Sequence, residues 1–171
     1  MTDMETSGTD FPFWQFSLRF YRQPGVAQAC LTLQDEAGID VNLLLFLLWQ
    51  ATQQRTLSAA EVRTIEDRIR PWREMTVIPL RAVRRALKSP PALVEAGTAE
   101  AYRSRIKAVE LEAERLQQEA MQRLADTGAL GSPAPSVTSA ARENLAVYRQ
   151  LTAAKFPPGT DDILIEALGT C

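Results

Sequence analysis

Residues 41–49 read Val-Asn-Leu-Leu-Leu-Phe-Leu-Leu-Trp, and this stretch decides the fold. In a helix its apolar side chains point in nearly every direction, so we predict a central helix enclosed by others. Asp40 precedes the stretch and is a favoured N-cap residue. The helix is predicted to continue to about Gln54. Its longest apolar run has seven residues, whereas a membrane-spanning helix needs about 20, so we expect no membrane span.

The rest of the chain also favours helix. Ala and Leu total 44 residues and Val and Ile only 16, a balance typical of helical proteins. Prolines and glycines separate the helical segments. The segments are predicted at about residues 11–21, 24–37, 40–54, 58–70, 71–88, 98–126, 138–154 and 161–168. Within them, Pro71 predicts a break and Pro79 a kink or an end.

These segments predict an all-α fold, a single-domain bundle of about seven helices with a central buried helix and one long helix in the C-terminal half. At 171 residues the chain is long enough for one well-buried core. We predict a disordered tail at residues 1–10, one helical domain at residues 11–171, and a flexible loop at residues 129–137.

The composition excludes several kinds of active site. The chain has no histidine and two cysteines, which excludes Ser-His-Asp and Cys-His catalysis as usually built and zinc sites with histidine or four thiolates. No catalytic residue, metal or cofactor is therefore predicted, and a binding role is favoured over catalysis. Two cysteines imply no disulfide framework, and the first ten residues lack a basic and apolar leader, so we expect a cytoplasmic protein.

The long helix at residues 98–126 carries a heptad-like apolar seam. Its members are Tyr102, Ile106, Val109, Ala113, Leu116 and Ala120. Such a seam packs against a neighbouring helix. Because two of the six residues are alanines, we favour packing within the chain, and a homodimer through this helix is the alternative.

Residues 70–88 form a strongly basic segment. Six basic residues and one acid give it a net charge of +5, so the remainder of this −2 chain carries −7. A stripe of this kind binds anionic surfaces, and Trp beside Arg is typical of interface hot spots. The predicted partner-binding residues are Trp72, Arg73, Arg81, Arg84, Arg85 and Lys88. The alternative is that these cations are solvated and complement the dipole at the end of their own helix, or pair with the acidic long helix. We expect the exposed faces of that helix to carry Glu110, Glu112, Glu114 and Glu119.

A second group of polar residues lies at the turn before the central helix. The candidate site consists of Gln34, Asp35, Asp40 and Asn42, beside Glu36. Neighbouring carboxylates can hold a divalent cation or act as an acid-base pair. The other interpretation is helix capping and structural hydrogen bonding.

An ordered string of residues resembles an uncharacterised proteobacterial family of short helical proteins. The string includes Phe13-Trp14-Gln15-Phe16-Ser17-Leu18, Pro24-Gly25-Val26, Leu33-Gln34-Asp35, Asp40-Val41-Asn42-Leu43, Trp72-Arg73, Pro79-Leu80-Arg81 and Arg84-Arg85. The resemblance covers about residues 11–88. It implies a bacterial, cytoplasmic setting and assigns no activity. Both candidate surfaces lie within this half of the chain.

We therefore expect a non-catalytic cytoplasmic binding or adaptor protein that contacts an acidic or anionic partner, most simply a protein, through the basic stripe. One alternative is a metal-dependent protein or enzyme using Asp35, Glu36 and Asp40. Another is nucleic-acid binding, which the acidic charge of the whole chain disfavours.

Overall fold

Helix α3 (Val41–Thr52) lies at the centre of the molecule, as the sequence predicts. The structure is a computed structural model and describes residues 11–128 and 130–171. Every side chain from Leu43 to Leu48 is buried. At the start of the helix, Asp40 Oδ1 accepts a hydrogen bond from the backbone N–H of Asn42 at 2.9 Å, which confirms the predicted cap.

The all-α single-domain fold is confirmed. The remaining helices are α1 (Pro12–Tyr21), α2 (Val26–Ala37), α4 (Ala59–Trp72), α5 (Ile78–Ala86), α6 (Ala96–Asp126), α7 (Val137–Thr152) and α8 (Thr160–Leu168). Since α4 and α5 are parts of one continuous helix, the described residues contain seven helical segments. None of these helices is long and apolar enough to cross a membrane. The tail predicted at residues 1–10 lies outside the described residues.

The helix beginning with α4 continues through both prolines, so the predicted end at about Arg70 is wrong. A π-helical turn at Arg73–Val77 joins α4 to α5. In this turn the N–H of Ile78 donates to the carbonyl of Arg73, five residues earlier. Pro79 has no N–H for the preceding turn, and the helix widens there instead of ending. The wide turn sets the direction in which the side chains of α5 point.

The long helix α6 has nearly its predicted bounds, but its face toward the core is not the predicted one. Tyr102, Val109 and Leu116 of the apolar seam are 48%, 52% and 39% exposed. Ala120 is also exposed, and of the six seam residues only Ala113 is fully buried. The expectation that this seam packs within the chain is therefore wrong for most of its length.

Polar side chains occupy the inward face of α6. The buried polar residues are Glu110, Gln117, Gln118, Glu119 and Gln122. Both glutamates were expected at the surface. Their hydrogen bonds explain the arrangement, because buried polar groups are tolerated where they find partners.

The hydrogen bonds of this inward face reach two neighbouring helices. Ser17 Oγ in α1 donates to Gln118 Oε1 at 2.7 Å, and Gln118 Nε2 donates to Asn42 Oδ1 in α3 at 2.8 Å. One turn further along, Gln122 Oε1 accepts from the backbone N–H of Phe13 at 3.0 Å. These bonds fix the rotation of α6 and hold its apolar seam outward.

A small antiparallel clasp anchors the segment predicted as a flexible loop at residues 129–137. Strands β1 (Arg55–Thr56) and β2 (Ser132–Pro133) pair antiparallel. The N–H of Gly131 donates to Glu61 Oε1 at 2.8 Å, and the N–H of Ala134 donates to the carbonyl of Gln54 at 2.8 Å. The described part of this segment is thus tied to the start of α4.

Candidate functional site

Arg81 and Arg84 of the predicted stripe are bonded to α6. Arg81 Nε lies 3.1 Å from Glu110 Oε1, and its Nη2 lies 2.8 Å from Glu114 Oε1. Arg84 donates from Nε to the other oxygen of Glu110. The Glu110 side chain is only 7% exposed. Both arginines therefore fasten α5 to α6, as the intramolecular interpretation of the stripe expects.

Arg73 joins the basic stripe to the polar turn. Its Nη1 lies 2.7 Å from Asp40 Oδ2 and its Nη2 lies 2.6 Å from Glu66 Oε1. Hydrogen bonding to Glu66, reinforced by Asp40, raises the pKa of the Arg73 guanidinium despite its burial. The same Asp40 oxygen accepts from Gln117 Nε2 at 2.9 Å. The two groups that the sequence presents separately thus form one network.

The other residues of the polar turn are also engaged or partly covered. Asp35 pairs with Arg85 at 2.6 Å, with both side chains about half exposed. Asn42 accepts from Gln118 in the core, while Gln34 is half-buried. Within residues 11–128 and 130–171, no group of three acidic or cysteine side chains is placed to hold a metal ion.

A cavity of about 650 Å³ lies beside this network, between the polar turn, α4 and α7. Three of its four arginines, Arg70, Arg73 and Arg81, are bonded to carboxylates. Because the charges in its wall are largely compensated, this cavity resembles a structural ion-pair cluster more than a vacant anion site.

Trp72 lines a different and more apolar groove between α4 and α6. Its indole Nε1 donates to the carbonyl of Ala113 at 3.0 Å, which fixes the ring against α6. The groove has a volume of about 600 Å³. Its apolar walls are formed by Ile69, Trp72, Leu116, Ala120 and Leu124, with Arg68 and Arg123 also in the lining.

The lining of the groove contains a buried amide oxygen without a hydrogen-bond partner and two exposed arginines. Gln117 is 2% exposed, and its Oε1 has no hydrogen-bond partner in the described part of the chain. Arg68 is exposed and makes no ion pair with another described residue. Arg123 is 63% exposed, stacks over the ring of Phe11 and approaches Glu119 only to 3.6 Å. The groove therefore presents positive charge beside an apolar floor.

The exposed seam of α6 continues this groove toward the N-terminal end of the helix. From Leu116 the apolar line passes through Val109 to Tyr102, over which Arg105 lies at 6.0 Å. Sequence reasoning found this seam and favoured packing within the chain, with a homodimer as the alternative. It missed Arg68, Ile69, Leu124 and Arg123. The helical spacing of Ile69 and Trp72 on α4 was the available signal.

The last predicted contact residue, Lys88, lies beyond the C-terminal end of α5. It is exposed and has no salt bridge to any residue that the structure describes. Of the six predicted residues, only Trp72 lines the groove.

A family model matches residues 12–121, from α1 through most of α6. The match extends well past residue 88, where the resemblance in the sequence becomes weak, and includes α4 and part of the exposed seam. No curated protein and no solved structure gives a significant match. The chain belongs to the family described as Protein of unknown function (DUF2390).

Proposed function

We propose that this protein is a non-catalytic bacterial, cytoplasmic binding or adaptor protein that holds an amphipathic, acidic helix of a partner protein along α6 and in the groove between α4 and α6. The observation that carries the proposal is the line of exposed apolar side chains at Tyr102, Val109 and Leu116 on α6, which leads into the groove beside Trp72. An apolar helical groove of this kind is a recurrent way of binding a helix.

The length of the surface favours a helix over a small molecule. From Tyr102 to Leu124 a straight α-helix rises about 33 Å. Large apolar side chains exposed in a line mark interaction surfaces more often than scattered ones do. A heptad seam is moreover built to receive the knobs of a second helix. Trp72 contributes the rigid aromatic surface typical of interface hot spots.

The charges beside the seam select an acidic partner. Arg68, Arg105 and Arg123 lie on or next to the apolar line, and acidic side chains bordering a partner's apolar face would complement them. The proposal retains Trp72 from the predicted stripe. It replaces Arg73, Arg81 and Arg84 with Arg68 and Arg123. The first three are largely covered and bonded to carboxylates within the chain, whereas Arg68 is exposed with no ion pair among the described residues and Arg123 is 63% exposed and reaches Glu119 only at 3.6 Å.

The alternatives from the sequence have weaker support. At the polar turn, Asp35 and Asp40 are each bonded to an arginine. A metal-dependent or acid-base function would need two free neighbouring carboxylates, and neither of these two is free. Nucleic-acid binding lacks a continuous basic face among the described residues, because the internal pairs of Arg73, Arg81 and Arg84 divide the stripe.

The test is recovery of partners with tagged wild-type protein and three variants. Val109→Glu places a charge on the exposed seam, and Arg68→Glu with Arg123→Glu reverses the charge of the groove. Leu93→Glu is the matched control, because Leu93 is 95% exposed and lies off the seam. We expect a protein with an acidic amphipathic helix to be retained by wild type and control, and lost by the other two variants.

A synthetic peptide of that helix, titrated against the same four proteins, should bind wild type and Leu93→Glu equally well and the other two variants more weakly. Equal binding to all four proteins would sink the proposal. Sedimentation of the purified chain adds a second check. A dimer that Val109→Glu dissociates would assign the seam to a second copy of this chain and overturn the proposal of a separate partner.

A further inference from the structure

A second cleft, of about 470 Å³, opens on another face of α6. Helices α1, α2 and α5 form its other walls, and α3 forms its floor. Most of its surface is apolar, contributed by Trp14, Leu18, Leu31, Val41, Leu45 and Leu111. Leu31 and Leu111 are 43% and 50% exposed, because they border this opening. An apolar cleft with a few polar groups is the usual form of a small-molecule site.

The cleft has a closed inner end and an open outer end. Hydrogen bonds join Phe13 to Gln122 and Ser17 to Gln118, so α1 and α6 run antiparallel. Ser17, Gln118 and Asn42 are bonded to one another and close the inner end. Following α6 toward its N-terminus, the lining passes Glu114 and Leu111 and reaches Lys107.

The outer part of the cleft carries positive charge that is not compensated by acids. Arg22, just after α1, and Lys107 are exposed and make no salt bridge with any residue for which the structure gives a placement. Arg81 and Arg84 also line the cleft, but Glu110 and Glu114 neutralise them. An anion entering here therefore meets two available cations above an apolar interior.

Glu114 adds a polar group in the wall. Its Oε1 accepts from Arg81, and burial, opposed by Arg81, raises the pKa of the Glu114 carboxyl. A partly buried acid of this kind in a cleft is a frequent feature of ligand sites.

We propose that this cleft binds a small amphipathic carboxylate, with its anionic head at Arg22 and Lys107 and its hydrocarbon chain along Leu31 and Leu111 toward Leu18 and Leu45. The bounded volume fits a single soluble molecule rather than a membrane surface. The site lies on a different face of α6 from the groove, so the proposal stands or falls independently of the helix-binding function.

The test is calorimetric titration of the full chain with decanoate below its micelle concentration. Decyltrimethylammonium, which has the same chain and the opposite charge, is the matched ligand control. We expect saturable one-to-one binding of decanoate, at least about ten-fold tighter than that of the cation. Absence of saturable binding, or equal affinity for both amphiphiles, would overturn the proposal.

Variants locate the site. Lys107→Glu should weaken decanoate binding by about ten-fold, whereas Lys155→Glu, at an exposed lysine outside the cleft, should leave it unchanged. Leu31→Trp should block the chain path, and circular dichroism checks that it folds. Unchanged decanoate affinity in both Lys107→Glu and Leu31→Trp would contradict the proposal. So would a protein that sediments with phosphatidylglycerol vesicles but does not bind decanoate, because the cations would then serve a membrane surface.

Discussion

Glu110 is the residue through which the basic stripe becomes part of the scaffold. It is buried on α6 and accepts hydrogen bonds from both Arg81 and Arg84. Removing one partner of a buried ion pair is costly, because the other charge remains away from water. The stability of the α5–α6 contact should therefore respond to this carboxylate more than to the acids on the exposed faces of α6.

We expect Glu110→Ala to lower the free energy of unfolding by about 2 kcal/mol, less than for a fully buried pair because Arg81 and Arg84 stay partly solvated. Urea denaturation measures the change. Glu112→Ala is the control, since Glu112 is exposed and, among the residues that the structure describes, pairs only with Arg115. It should change the free energy by less than about 0.5 kcal/mol. Equal effects of the two variants would contradict the structural role of Glu110.

The pH dependence should separate Glu110 from Glu114. Burial opposes ionisation of Glu110, but hydrogen bonds from Arg84 and Arg81 outweigh it, so its pKa lies below the usual value. Its stabilisation is therefore present above the unfolded pKa of about 4.3 and lost as pH falls through the folded pKa. The pKa of Glu114 is raised, so its effect on stability runs the other way. Its contribution is present below the unfolded pKa and is lost as pH rises through the folded pKa.

The quantity to measure is the free energy of unfolding at about pH 7 minus that at about pH 3.5. Relative to wild type, this difference should decrease in Glu110→Gln and increase in Glu114→Gln. Urea denaturation of the three proteins at both pH values gives the answer. A change of the same sign in both variants would show that the two carboxylates do not differ as described.

At the scale of elements, the clasp between β1 and β2 depends on one glycine. Gly131 has a φ of +73°, and a Cβ added there would lie 2.7 Å from the carbonyl oxygen of Thr56. Both the left-handed backbone and the close approach require glycine. Sequence reasoning saw a Gly/Pro-rich loop here, but the pairing partner is far away in the chain and leaves no local pattern.

Gly131→Ala should therefore lower the free energy of unfolding by about 2–3 kcal/mol, the combined cost of strain and displaced backbone. Gly128→Ala provides the matched control, because nothing lies within 4 Å of a Cβ built at that position. Thermal and urea denaturation of the two variants test the difference. If the alanines prove equivalent, the clasp does not constrain this segment.

Helical periodicity predicted the elements well and their mutual orientation poorly. Asp40 and the apolar residues 41–49 indicate α3 because a cap and all-round hydrophobicity are local signals. The seam of α6 was also recognised, since spacing shows which residues share a face. Spacing does not show which face meets the core, and on α6 the bonds of Ser17 and Phe13 to distant glutamines decide it.

At the scale of the whole molecule, the candidate site was only partly predictable. Trp72 was identified from its residue type and its neighbours. The bond between Arg73 and Asp40 joins positions 33 residues apart, and Arg68 acquires its importance only because α4 packs beside α6. Pairings of this kind arise from the tertiary fold and leave no local pattern in the sequence. The pairing of the basic stripe with the acidic long helix could be inferred in advance, as one of two alternatives, because the two segments carry opposite charge.

The rotation of α6 also has a consequence for the free-energy balance of the protein. Hydrophobic burial alone would turn Tyr102, Val109 and Leu116 inward, and the buried glutamine contacts prevent it. These side chains are 39–52% exposed, so the transfer free energy of their exposed part, on the order of 25 cal/mol for each Å² removed from water, is not gained on folding. It remains available for association, so α6 resembles one strand of a two-stranded coiled coil in the absence of the other.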